Sequence, residues 1–220
     1  MSKYDTFVRT KEINNKFIQN TSEFWNTSKC NSVEVLGSLM EHINECFKEK
    51  EIYNFEEWET YFYSKVTKEQ LNKCYFQFKN ELDKNNIKYT KEELKNTILI
   101  HCILQTYEGY TRENIAKNFL RKNKDIVKIE KTSKEIDANY FIDYILTLKN
   151  NKRVGVQVKS LSYVFMVMKQ DKEKNSYKKL VEKMNSYKGC DYTFVLFVDV
   201  DRVAKVSEQH FNSKIGWWLR

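Results

Sequence analysis

Three chemically unlike side chains stand close together in the segment Phe141–Ser160. Asp143 interrupts an apolar run from Tyr140 to Leu148. Beyond a polar turn, Lys149 to Lys152, Gln157 and Lys159 interrupt a run built on Val154, Val156 and Val158. A polar or charged group on a buried strand costs free energy unless it is paired or used. Period-two alternation puts the three valines on one face and Gln157 with Lys159 on the other, beside Gly155, where no side chain blocks an approaching ligand. A carboxylate and an amide oxygen suit a hard divalent cation, with water completing the shell. Such a cation polarises a phosphate and lowers the pKa of a bound water. A lysine two residues further on can orient that water and offset charge growing on the phosphorus oxygens. These residue types in this spacing point to phosphodiester hydrolysis. The plainer reading is that Lys159 snorkels to water from a strand end and Asp143 is only its ion-pair partner. Asp137 competes for the metal, because Ile136-Asp137 repeats the pattern of Ile142-Asp143.

The strands holding these groups must be in the right register. A two-residue turn at Asn150-Asn151 would pair Lys149 with Lys152 and set Asp143 opposite Val158, on the wrong face. A loop of three or five residues, or one bulge, brings Asp143 to the face of Gln157 and Lys159. Around this hairpin the pattern predicts an amphipathic helix over Thr111–Arg121, a strand over Ile126–Ile129 and a strand over Tyr140–Leu148. It also predicts a basic helix over Lys172–Lys188 closed by Gly189, and a central strand over Tyr192–Val200. The order from Thr111 is α-β-β-β-α-β. Residues 1–108 read as a mainly helical lobe: apolar spacing marks Val33–Phe47 and Thr67–Leu82, and Thr90-Lys-Glu-Glu93 reads as a capping box. The aromatic, acidic stretch Glu51–Thr60 is a partner surface or a helix pinned by its aromatics. The pattern changes near Gly109, so the chain divides into 1–108 and 109–220.

Asp143…Gln157-Val158-Lys159, carried on strand–turn–strand within that element order, resembles the PD-(D/E)xK nuclease superfamily over about residues 109–201. The resemblance implies a mixed α/β (α+β) restriction-endonuclease-like core and Mg2+-dependent cleavage of DNA. By position Asp143 matches the family's metal-binding aspartate, Gln157 stands in place of its second acid, as in a QxK subgroup, and Lys159 matches its lysine. Val158, between them, joins the metal ligands. Glu113, on the helix that opens the core, resembles an acid many members supply from there; its other reading is a first-turn acid favoured by the helix dipole. Ile142 stands where the family has proline.

Composition narrows the field. The 220 residues are 41% apolar, 31% charged and 15% aromatic, with no proline and five glycines. No apolar stretch approaches the roughly 20 residues of a membrane span, and no N-terminal apolar segment suggests secretion. Glycine is too scarce for a phosphate-cradling loop, which excludes a nucleotide cofactor. Five irregularly spaced cysteines argue against a disulfide framework and suit a reduced, cytoplasmic setting. The net charge is −2 over residues 1–110 and +10 over 111–220. A basic half suggests a polyanion partner, double-stranded DNA, with Lys178 and Lys179 as phosphate contacts. The expectation is a type II restriction enzyme of a restriction system acting as a homodimer. The alternatives are a repair or junction-resolving nuclease of the same fold and a non-catalytic nucleic-acid-binding protein.

Overall fold

The computed structural model describes residues 2–48, 54–163, 171–199 and 202–219, with 171–176 described by backbone alone. Glu51 and Tyr53 of the acidic, aromatic stretch and Val200 of the last apolar run lie outside the described residues. The chain divides into two compact units, Met1–Thr111 and Arg112–Arg220. Among the described residues no helix is long and apolar enough to cross a membrane.

The first unit is helical: α1 (Lys3–Ser28), α2 (Val33–Leu36), α3 (Leu39–Cys46), α4 (Phe55–Lys65), α5 (Lys68–Lys84) and α6 (Lys91–Leu99), then a π-helical turn at Ile100–Gln105. Reciprocal capping boxes open three of them, Ser2 with Asp5, Thr67 with Gln70 and Thr90 with Glu93. Each satisfies backbone donors that the first helical turn leaves orphaned. The span expected as one helix, Val33–Phe47, is two, because Gly37 at φ +71° and the Ser38 cap interrupt it. In α4 the aromatics turn inward: Phe55, Trp58 and Phe62 are buried, and the Trp58 indole donates to the Ile103 carbonyl at 3.0 Å. Over its described residues, the acidic stretch is therefore a helix held by its aromatics.

α7 (Thr106–Arg121) leads into the second unit, which continues β1 (Ile126–Lys131), α8 (Lys134–Tyr140), β2 (Tyr144–Leu148), β3 (Arg153–Ser160), α9 (Asp171–Asn185), β4 (Tyr192–Asp199), β5 (Arg202–Val203) and α10 (Lys205–Trp218). The five strands form one mixed sheet in the order β1-β2-β3-β4-β5. β3 and β4 run parallel and the other pairs antiparallel. The fold is thus mixed α+β. On one face Val154, Val156 and Val158 pack with Leu146 and Leu196 beneath Leu120 of α7 and Phe211 and Trp218 of α10. On the other, Ile145 and Val195 meet Leu180 and Met184 of α9 and Ile142.

Several boundaries differ from the sequence expectation. The apolar run Tyr140–Leu148 is not all strand. Tyr140 ends α8, Phe141 takes the left-handed conformation at φ +53°, and β2 starts only at Tyr144. β1 continues to Lys131, with a bulge between Ile126 and Lys128. α9 ends at Asn185, before the glycine expected to close it. α7 begins at Thr106, so Glu113 lies two turns inside the helix and not in its first turn. The sequence reading names neither α8, none of whose residues is buried, nor α10, whose Phe211, Ile215 and Trp218 stand at helical spacing.

Candidate active site at the fork of β2 and β3

Hairpin geometry decides whether Asp143 can meet Gln157. Leu148 donates to the Lys152 carbonyl and Asn151 to the Leu148 carbonyl, each at 2.9 Å, which closes a three-residue loop, Lys149 to Asn151. Asn151 adopts φ +63°, the left-handed turn such a loop needs at its last position. The pairing that follows, Leu146 with Val154 and Tyr144 with Val156, sets the next position, Asp143, opposite Gln157. This is the odd loop that the chemistry required.

The ladder stops there. The Asp143 N–H donates to the Val156 carbonyl at 2.9 Å, and β3 runs on to Ser160 without β2 beside it. On the β2 side, Val158 therefore presents its N–H and C=O, which point to the same strand edge, to side chains instead of a strand. The Asp143 carboxylate takes the Val158 N–H at 2.6 Å and the Gln157 amide N–H at 2.5 Å through the same oxygen. The Gln157 amide also lies 3.4 Å from the Val158 carbonyl. Asp143 and Gln157 are 8% and 4% exposed, so water screens this cluster poorly. Lys159 is half-buried on the same face as Gln157, its ammonium 6.0 Å from the centre of the Tyr163 ring.

Charges gather around the buried carboxylate. Burial, and after it the charge of Glu113, push the Asp143 carboxyl up to about 7; Asp137 adds to this, while the Val158 N–H and the Lys159 charge oppose it. Glu113 reaches the site from the middle of α7, held by Lys131 at 2.8 Å. Asp137, on α8, is exposed as a residue, yet burial of its carboxyl raises its pKa, and the charges of Lys159 and Lys131 oppose that rise. Asp143, Gln157, Lys159 and Glu113 thus converge, with Asp137 at the margin. Lys178 and Lys179 are exposed on α9, Lys178 lying 3.8 Å from Glu182, and neither bonds to a residue of this group.

Two points depart from the sequence reading. The space over Gly155 is not open to a ligand: a Cβ there would meet Ile142 Cδ1 at 2.9 Å. Glycine at 155 lets Ile142, next to Asp143, pack onto the strand. The reading also passed over Lys131 and Thr132. The Thr132 hydroxyl donates to the Ile142 carbonyl and lies 3.2 Å from the Asp143 carbonyl, and the Thr132 N–H donates to the latter at 3.0 Å. No motif marks these residues, because their roles come from the pairing of β1 with β2.

Among the described residues no three His, Cys, Asp or Glu side chains are grouped to hold a metal. A cation here must draw on other oxygens, and the donor set fits one of the hard type. Asp143 supplies a buried carboxylate with no ion pair among the described residues, Val158 a carbonyl released from the ladder, and Gln157 an amide oxygen reached by rotating the amide. The histidines offer nothing comparable: His101 stacks on Trp25 and burial pushes it down to about 4. A cavity of about 640 Å³ lies elsewhere in the unit, along β4 beside Tyr177, Val181, His210 and Trp218. Its walls are mainly apolar, with Asp191 and Lys214 in the lining, and Asp143, Gln157 and Lys159 are not among the residues that line it.

A protein-family model described as MjaI restriction endonuclease matches residues 17–196, which includes the whole fork. Comparison with curated proteins and with solved structures gave no significant match.

Proposed function

This chain belongs to the MjaI restriction endonuclease family, and we propose from that premise that it is a Mg2+-dependent type II restriction enzyme hydrolysing phosphodiester bonds within a short double-stranded DNA site. The observation that carries this reading is the Asp143 carboxylate lodged where β3 outruns β2, with Gln157 and Lys159 on its face. In this reading α7, β1, β2, β3, α9 and β4 form the restriction-endonuclease-like core, with α8 inserted after β1. Residues 109–220 are then the catalytic core, and the helical lobe, 1–108, serves recognition and dimerisation.

Asp143, the Val158 carbonyl and Gln157 would hold Mg2+, with Asp137 the further candidate ligand. When bound, the cation polarises the scissile phosphate and lowers the pKa of a coordinated water. Lys159 holds its ammonium beside that position, where it orients the attacking water and offsets charge growing on the non-bridging oxygens. Glu113, paired with Lys131, adds negative charge near Asp143 that favours a bound cation. Ile142, packed on Gly155, and Thr132, bonded to the backbone around Asp143, hold the carboxylate in place. Lys178 and Lys179 are proposed phosphate contacts; replacing both by Ala should weaken binding to all sequences alike without changing the site cut.

The test is incubation of a plasmid of known sequence with and without Mg2+. Discrete fragments that appear only with Mg2+ are the expected result. Linearised cruciforms would indicate a junction-resolving enzyme, and a gel shift without cleavage would indicate a non-catalytic binder.

A further inference from the structure

Four-residue steps along α7 starting at the site reach Glu113, Lys117 and Arg121, three side chains on one helix face. Lys117 and Arg121 are like charges at a spacing that weakens a helix, whereas Lys79 faces Asp83 at 2.5 Å and Lys178 faces Glu182. On α7 the acid that precedes Lys117, Glu113, is already engaged by Lys131. Among the described residues neither Lys117 nor Arg121 has an ion-pair partner. The Lys117 ammonium is half-buried, and burial, Arg121 and Lys131 all push its pKa down. Three cations from two elements therefore crowd one side of the fork with one carboxylate among them. The strip from Glu113 to Arg121 rises about 12 Å along the helix, which suits an extended polyanion better than a single small anion.

We propose that Lys117 and Arg121, with Lys131 beside them, form the track that grips the DNA backbone next to the scissile phosphate, on the α7 side of the fork. The surface supplies sequence-independent phosphate contacts that set how the duplex lies across Asp143 and Lys159. It rests on the nuclease reading above and adds the direction in which DNA leaves the site.

The experiment measures binding of a labelled 30-base-pair duplex of arbitrary sequence, in chelator so that nothing is cut, as a function of salt. Wild type is compared with Lys117→Gln/Arg121→Gln and with Lys68→Gln/Lys73→Gln. The last variant removes two exposed charges from α5 and so matches the change in net charge. Loss of two phosphate contacts should make the log–log slope shallower by about 1.8, while the α5 variant keeps the wild-type slope. Circular dichroism on all three proteins checks that each is folded. An unchanged slope in the α7 variant, or an equal change in both variants, would overturn the proposal. A plasmid digest on the same wild-type preparation separates the two levels. A protein that cuts with Mg2+ but shows no slope change loses only the α7 track. A wild type that neither binds nor cuts DNA loses the nuclease reading itself.

Discussion

At Asp143 the folded protein favours the protonated acid, since burial and Glu113 raise the carboxyl to about 7 against an ordinary 3.8. The stability from this raised pKa is fully present below about pH 3.8 and is lost as the pH rises through 7. In chelator at pH 8 the ionised group should cost the fold on the order of 2–4 kcal/mol. Asp143→Asn should then be more stable than wild type at pH 8, with the gap closing near pH 4. Urea midpoints at both pH values measure this, and a gap that does not depend on pH would contradict the burial and repulsion described. Gln157→Glu tests the neighbouring ligand. It removes the amide donor to Asp143 and adds a like charge, so the chelated protein should lose about 1–3 kcal/mol. With Mg2+ the carboxylate supplies an oxygen at the same reach, so cleavage should stay within about tenfold of wild type. Complete loss of cleavage in a folded variant would mean that the neutral amide is required. Asp143, Gln157 and Lys159 stood out because each breaks an apolar run, although Asp143 lies just before β2 and not within it. Glu113 was singled out by the family resemblance alone, and its first-turn alternative fails because the helix starts at Thr106. Lys131 and Thr132 were invisible because only the β1–β2 pairing gives them a role.

The hairpin sets the face of every group in the site. Sequence alone left two registers open, because Asn150-Asn151 could form a two-residue turn; the left-handed Asn151 and the three-residue loop select the other. Beside the site, Ile142 fills the space over Gly155. Gly155→Ala should therefore cost about 1–3 kcal/mol by overpacking, because the added Cβ meets Ile142 Cδ1 at 2.9 Å. Ile142→Val removes that methyl, so the double variant should recover most of the loss. A thermal-unfolding double-mutant cycle tests the pair, and additive losses would mean that the two residues do not touch. The helix before β2 escaped notice for a physical reason. α8 has seven residues and none is buried. Its apolar continuation, Tyr140 to Ile142, merges by composition with the strand that follows. Phe141, turned to φ +53°, makes the break that the sequence does not advertise.

For the molecule as a whole, charge and element order were more legible than assembly. The +10 of residues 111–220 coincides with the unit that holds the fork, and half of the lysines there lie on the sheet, α7 and α9. How two copies would meet leaves no periodic trace in one chain. A type II enzyme cutting both strands of a palindrome calls for two-fold symmetry. Sedimentation at micromolar protein should therefore give about twice the 26.6 kDa chain mass, and a monomer both with and without a duplex would contradict the homodimer. The most direct measurement of the central assignment is cleavage of one plasmid in Mg2+ by wild type, Asp143→Ala and Lys159→Ala, with duplex binding measured in parallel. Lys159 is assigned to the transition state and not to ground-state binding. The account predicts discrete fragments from wild type alone, with Lys159→Ala losing at least about a hundredfold in cleavage rate while still binding DNA, and with Asp143→Ala inactive. Near wild-type cutting by either folded variant would place the chemistry elsewhere; an active Asp143→Ala with a dead Asp137→Ala would move the metal to α8.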